Sequence, residues 1–330
     1  MQEANQVHSS PNNRTIVRAD PRQVLLRGGI RFGFKLLNKA APDLASLAAE
    51  RLFRSPRRHA RPAWEEEILA GAARFSLPWG AEALPAWSWG HGPTVLLVHG
   101  WEGRGSQLGA FVRPLVELGF RVVTFDAPGH GDGPSRSATL VELARAVTVA
   151  MDEVGPVHAI VAHSLGGAAT TYALSRAASV RRAGAPAPRL VFIAPPISAV
   201  RYTQHFAKLL GIDEAVRRRM VARLEARYGV PLADLDALSA APRMNAPLFV
   251  VHDRDDREVS FEAGAALADR WPGARLMSTR GLGHRRVLRA PEVIAEVVEV
   301  VTGTPWPVRT GIETFELERE LFERDRRRAV

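Results

Sequence analysis

From residue 94 onward, short apolar runs alternate with amphipathic stretches in a repeating rhythm. Residues 94–99 (TVLLVH) are a dense apolar run of strand length, followed by a glycine-rich turn and a helical pattern over 106–118. The alternation continues with strands expected at 121–126, 158–162, 189–194, 248–252 and 275–278. Helices are expected between them, at 140–154, 166–180, 261–271 and 291–301. Two more short strands are expected at 74–77 and 83–89. Short apolar strands separated by helices predict an α/β fold, a mostly parallel sheet covered on both faces.

Two regions break the rhythm. Residues 195–244 separate two strands by far more than an ordinary connection and carry a helical pattern, notably over 212–228, with no strand signal. They read as a helical cap inserted over the carboxyl ends of the strands. Before residue 63, two amphipathic helices are expected within 21–54, with Asp20-Pro21 and Ala41-Pro42-Asp43 as starts and Ser55-Pro56 as the stop. The first twenty residues are polar and read as extended, and the charge-rich 306–330 reads as a surface tail. The expected organisation is an arm at 1–62, a core at 63–194 and 245–305, a cap at 195–244 and the tail.

Composition narrows the class. A chain of 330 residues suits one large α/β domain with extensions. No run of eighteen apolar residues suggests a membrane span, and Val24-Leu25-Leu26 is cut by Arg27 and two glycines, unlike a secretory signal. The absence of cysteine excludes disulfides, thiolate metal sites and a cysteine nucleophile, and a cytoplasmic location is expected. Of the net charge of +9, residues 1–62 supply +8 through twelve Arg/Lys against four Asp/Glu. This arm lacks the aromatic interleaving that stacks bases, so no nucleic acid is expected. Its mix of Leu, Ile and Phe with Arg and Lys suits docking on the body or peripheral contact with an anionic membrane. Gly28, Gly29 and Gly33 weaken an isolated interfacial helix and favour docking.

The candidate chemistry centres on residues 157–167 (VHAIVAHSLGG). A strand that turns sharply into a helix holds a serine with its hydroxyl exposed, provided that small residues stand two places before and after it. Ala162 and Gly166 take those places around Ser164, giving A-x-S-x-G where the full motif has glycine first. Val98 runs into His99-Gly100-Trp101-Glu102-Gly103, a turn whose Trp101 N–H can meet a carbonyl oxygen. The N–H of Leu165, just after the serine, supplies a second donor for an oxyanion. In this reading His99 braces the loop and Trp101 lines the pocket. Asp126-Ala127-Pro128-Gly129-His130-Gly131 reads as a tight turn; Asp126 and His130 lack the spacing of a metal-ligand set, and no metal is expected. A base is expected late in the chain, and His284 in Gly281-Leu282-Gly283-His284 meets that, while His163 is expected to point away from the site. For the acid, Asp256 lies best, a few residues past its strand; Asp255 is the alternative, and Asp253 comes early.

With Ser164, Asp256 and His284 in that order, the chain resembles the α/β-hydrolase superfamily, specifically bacterial-type single-domain members with an H-G-W oxyanion turn. The resemblance spans about residues 72–303. It implies an eight-stranded sheet with its first strand near Phe75, a cap after the sixth, and no cofactor. Ser164 stands where the dehalogenase and epoxide hydrolase branches carry aspartate, which disfavours those chemistries. The implied activity is carboxylic ester hydrolysis on a small-molecule substrate, with lipase, thioesterase or acyltransferase activity on the same triad as the alternative. A non-catalytic binding relative is the reading from another class, and the presence of every triad candidate weighs against it.

Overall fold

Five of the strands are apolar in almost every position, so they need cover on both faces, and helices supply it. The computed structural model describes residues 21–177 and 187–303. Two helices come first, α1 (Pro21–Ala40) and α2 (Pro42–Phe53), then α3 (Ala63–Ala70) and a hairpin of β1 (Ala73–Trp79) and β2 (Glu82–Trp89). Next come β3 (Thr94–Val98), a 3-10 segment Gly105–Phe111 running into α4 (Val112–Glu117), and β4 (Arg121–Phe125). Then α5 (Leu140–Val154), β5 (Val157–His163), α6 (Leu165–Ala177) and β6 (Arg189–Ile193) follow. Beyond them are α7 (Ala199–Leu210), α8 (Glu214–Tyr228), the single turn α9 (Ala237–Ala240) and β7 (Leu248–Asp253). The described chain closes with α10 (Phe261–Arg270), β8 (Arg275–Thr279), the single turn α11 (Gly283–Arg286) and α12 (Pro291–Thr302). The residues expected as an extended start and as the 306–330 tail lie outside the described ones, as do the last residues of the helix expected at 166–180.

All eight strands join one sheet in the order β1-β2-β4-β3-β5-β6-β7-β8. β2 runs antiparallel to β1 and to β4, and every other pairing is parallel. Alternate residues therefore sort into two cores. Leu96, Val123, Ile160, Phe192 and Val250 face α5, α6 and α10, whereas Leu97, Val122, Val161, Ile193 and Val251 face α4 and α12. Helix ends are set by local chemistry. Thr139 caps α5, its Oγ1 accepting the Glu142 N–H and donating to the Glu142 carboxylate; Asp213 caps α8 through the Val216 N–H at 2.8 Å, and Gly229 and Gly303 end α8 and α12 in left-handed backbone.

Two local differences from the sequence expectation have physical causes. The helix expected over 106–118 starts as a 3-10 segment, because it lies too close to β4 and α3 for a regular helix with side chains at every position. A Cβ on Gly105 would fall 2.6 Å from Thr124 Oγ1, and one on Gly109 would fall 2.6 Å from Ile68 Cδ1. Helix α3 has no counterpart among the expected elements, since three consecutive glutamates follow Trp64. Besides Ile68, which packs into the core, a buried polar cluster holds it: Arg104 Nε and Nη2 donate to Glu65 at 2.5 and 2.7 Å, and Ser106 Oγ donates to the same carboxylate at 2.5 Å.

The described residues divide into two compact units, one made of residues 21–54 and 199–233 and the other of the rest. In the first unit the expected arm and much of the expected cap pack together. Residues Asp43, Ser46 and Glu50 along α2 meet Arg219, Arg223 and Arg227 along α8 at 2.9, 3.1 and 3.0 Å. Ala45 and Ala49 are fully buried and let α2 come close to its neighbours, while Val216, Met220 and Leu224 fill the core from α8.

Gly105→Ala should cost about 1–3 kcal/mol of unfolding free energy through overpacking against β4. Gly71→Ala, where the nearest atom would be 3.7 Å from the new Cβ, should stay within about 0.5 kcal/mol. Urea unfolding of both variants checks this; equal effects would rule out the packing explanation.

Candidate active site

Because the strands from β3 through β8 lie parallel, the loops after β3, β5, β7 and β8 all leave the same edge of the sheet. Trp101, Ser164, Asp256 and His284 stand on those four loops. At the β5–α6 junction Ser164 adopts φ 51°, a left-handed conformation that non-glycine residues seldom take. It is pinned by two main-chain bonds, its N–H to Ile193 O at 2.8 Å and the Gly167 N–H to Ser164 O at 2.9 Å. The small residues around it are required by space. A Cβ on Gly166 would lie 2.6 Å from His99 O and 2.8 Å from Val98 O, and one on Gly100 would lie 2.8 Å from Ser164 Cβ. Ala162 is fully buried and pairs with Val98 and Phe192 in the sheet, so alanine satisfies the position where the full motif has glycine.

The turn after β3 is locked against the turn after β4 by histidine. His99 Nδ1 donates to Gly100 O at 2.8 Å, leaving Nε2 to accept the Ala127 N–H at 3.0 Å. Burial, opposed by the Gly100 carbonyl, pushes the His99 pKa down to about 4, so the ring is neutral and keeps this tautomer. Gly103 N–H closes the turn on Gly100 O at 3.1 Å. Glu102 takes φ 55° and pairs with Arg57 at 3.0 and 3.1 Å. Trp101 is half-buried, its ring edge-on to His130 with centroids 5.1 Å apart. Leu165 opens α6, so its N–H has no carbonyl one turn earlier to donate to. Asp126 is consumed by structure: it accepts from Gly105 N–H and Asp132 N–H at 2.8 Å each and from Arg61 at 2.6 Å. Among the described residues no three His, Asp or Glu side chains converge as a metal site.

The three aspartates after β7 have separate tasks. Asp253 accepts from Thr279 Oγ1 at 2.7 Å and from Leu282 N–H at 3.0 Å, and Asp255 accepts from Gly281 N–H at 2.9 Å. Both therefore tie down the loop that carries His284. Asp256 alone faces the imidazole, with Oδ2 2.6 Å from His284 Nδ1, while its Oδ1 accepts the Glu258 and Val259 N–H groups at 2.8 and 3.0 Å. Burial raises the Asp256 pKa, but hydrogen bonds from His252 and His284 outweigh it and hold the carboxyl well below the usual range. With Nδ1–H turned to this carboxylate, Nε2 of His284 is left as the basic lone pair.

Two further histidines, His163 and His252, belong to this arrangement. His163 was expected to point elsewhere; its Nε2 donates to the His284 carbonyl at 2.9 Å, and the two rings lie 4.7 Å apart. Burial, then the neighbouring His284, push its pKa down to about 3, so it braces the loop as a neutral donor. His252 is buried at the end of β7, with Nε2 3.1 Å from Val259 O and 3.5 Å from Asp256 Oδ2. Gly264 leaves room for its ring. A lone histidine at a strand end carries no sequence signal of such a role; the His163 contact spans 121 positions, whereas the His252 contacts lie within the loop that follows its own strand.

Three buried histidines make the body acid-sensitive. An unfolded histidine gains its proton near pH 6.5, whereas His99, His130 and His163 stay neutral down to about 4, 3 and 3. The unfolded chain thus binds more protons over that window, and stability, fully present above pH 6.5, falls as pH drops towards 4. Each group contributes up to about 1.4 kcal/mol per pH unit. Unfolding free energies at pH 7, 6 and 5 should decline steeply, and His130→Gln should flatten the slope by about one proton. An unaltered slope in that variant would mean that His130 titrates normally in the fold.

Comparison with known proteins agrees with this architecture. The model of the alpha/beta hydrolase family matches residues 95–297. The chain is 29% identical over 251 residues to pimeloyl-(acyl-carrier protein) methyl ester esterase of Aromatoleum aromaticum, covering 63% of this chain and 98% of that protein. Among solved structures, an esterase from Pyrococcus furiosus superposes with a TM-score of 0.54 at 18% identity, covering 76% of this chain and 96% of that one. An esterase from Exiguobacterium antarcticum gives 0.52 at 15% identity, covering 70% and 100%. Matched by the family model over more than half its length and built on the same sheet, this chain belongs to the alpha/beta hydrolase family.

Proposed function

We propose that this hydrolase cleaves a carboxylic ester through an acyl-enzyme on Ser164. The observation that carries the reading is the 2.6 Å contact between Asp256 and His284 Nδ1, at the sheet edge where Ser164 sits in its left-handed turn. In the first half-reaction His284 Nε2 takes the Ser164 hydroxyl proton as Oγ attacks the ester carbonyl. Asp256 orients the imidazole and stabilises its cationic form. The N–H groups of Trp101 and Leu165 hold the developing oxyanion, where loss of one such donor typically costs about 3 kcal/mol of barrier. His284 then gives its proton to the departing alcohol, and the acyl group remains on Ser164. Water, deprotonated by the same imidazole, releases the carboxylic acid and regenerates the serine. The Aromatoleum aromaticum relative is by name a methyl ester esterase, which favours a simple ester ahead of a thioester or a lipid as the substrate class.

The wild-type protein should take one fluorophosphonate on Ser164 and turn over aryl esters of some acyl length, and Ser164→Ala should abolish both. Asp256→Asn should lower kcat by roughly 10⁴-fold with the fold intact, while Asp255→Asn stays far milder. Peptide mapping that puts the adduct on another serine, or a crippling Asp255→Asn beside a mild Asp256→Asn, would overturn the assignment. Thioester and lipid emulsion arms of the same panel decide the substrate class, and faster thioester turnover would replace the ester reading.

A further inference from the structure

The helical unit holds a charge and an apolar surface that catalysis leaves unused. Residues 1–54 and 199–233 contain sixteen Arg/Lys against seven Asp/Glu, while the rest of the chain contains twenty-eight of each. The net charge of +9 therefore belongs to this unit alone, and the chain's first twenty residues are themselves neutral. Nor do its acids offset the outer helices. Asp43 and Glu50 pair with Arg219 and Arg227, Glu214 pairs with Arg217, Asp213 caps α8, and Glu225 accepts the Leu232 N–H. Helices α1 and α7 contain seven basic residues and no acid.

The same helices expose apolar side chains. Of eight large apolar residues exposed among the described ones, seven lie in this unit, with Phe32 at 65%, Leu44 at 61% and Leu36 at 58% the most open. On α1 the exposed cations Arg31, Lys35 and Lys39 recur every fourth residue, and Phe32 and Leu36 lie one position, about 100°, beside them. Exposed Lys208 and Leu209 repeat the pairing on α7. The glycines of α1 would weaken it alone, but it is not alone. Arg31 Nη1 donates to Lys208 O and Leu209 O at 3.2 and 2.8 Å, and Asn38 donates to Gly211 O at 2.9 Å, so α7 holds α1 in place.

We propose that the exposed faces of α1, α2 and α7 are a docking surface for an anionic lipid bilayer. A bilayer interface sets negative headgroups directly above hydrocarbon, which matches cations and apolar side chains placed side by side on each helix. A second copy of the chain would bring two strongly positive surfaces together and is disfavoured by that repulsion. No helix among the described residues is long and apolar enough to cross a membrane, so the contact is peripheral. It would hold the hydrolase body beside a lipid surface irrespective of the substrate it takes.

The test is co-sedimentation of the full-length protein with phosphatidylcholine vesicles, with and without phosphatidylglycerol. Binding should require the anionic lipid and weaken at least tenfold between about 0.1 M and about 1 M salt, as the Debye length shrinks from ~10 Å to ~3 Å. The variants F32S/L36S and K35E/K39E should each bind at least tenfold more weakly with thermal unfolding unchanged, since all four side chains are exposed. Equal sedimentation with neutral vesicles, or none with anionic ones, overturns the proposal. So does a dimer in analytical ultracentrifugation that F32S/L36S dissolves while vesicle binding persists, because the face would then be an interface between copies.

Discussion

A left-handed backbone at Ser164 is the constraint around which the candidate site is arranged. For a residue with a side chain this conformation costs on the order of 1–3 kcal/mol, and it persists only where neighbours over-determine it. Here the neighbours are the β6 main chain, which accepts the Ser164 N–H at Ile193, and two glycines whose missing side chains let β3 and its turn lie against the serine. The turn carrying Trp101 can approach only because Gly100 has no Cβ, and α6 can start where it does only because Gly166 has none. The strained serine, the adjacent donors and the tight β3–α6 contact are therefore one packing solution.

Around that point the molecule uses identical side-chain types for different ends. Of three carboxylates in the four positions from the last residue of β7, Asp253 to Asp256, two accept backbone N–H groups from the β8 loop and only the third meets an imidazole. The histidines divide in the same way. His99 and His163 are buried, neutral and committed to carbonyls, so they fix loops, whereas His284 keeps a lone pair on Nε2 by donating Nδ1–H to a carboxylate. Environment decides which member of each set enters the Asp256–His284 pair.

Much of this was legible along the chain. Apolar runs of strand length marked β3 to β7, because a strand covered on both faces must be apolar nearly throughout, whereas β1, β2 and β8 are partly exposed and mixed in character. The four loops of the candidate site could be ordered because each follows an expected strand. What escaped the reading rests on contacts between distant segments. Helix α3 is held in part by a buried Arg104–Glu65 pair, whose members lie 39 positions apart. His163 acts through the carbonyl of His284, 121 positions away. The arm and the cap read as separate pieces because their union lies in the spacing of Asp43, Ser46 and Glu50 against Arg219, Arg223 and Arg227. That polar ladder would have been a usable signal.

The α2–α8 ladder joins residues 176 or 177 positions apart, and this has a consequence for biosynthesis. Ribosomes add roughly 5–20 residues per second, so α2 waits roughly 10–30 s after emerging before its partner exists. During that interval Ala45, Ala49 and the carboxylate of Glu50 are in water, and the apolar side of α1 lacks its α7 neighbour. The nascent chain is then a basic amphipathic segment attached to a body folding behind it. Its solubility in that state depends on its positive charge, which repels neighbouring nascent copies until α7 and α8 arrive.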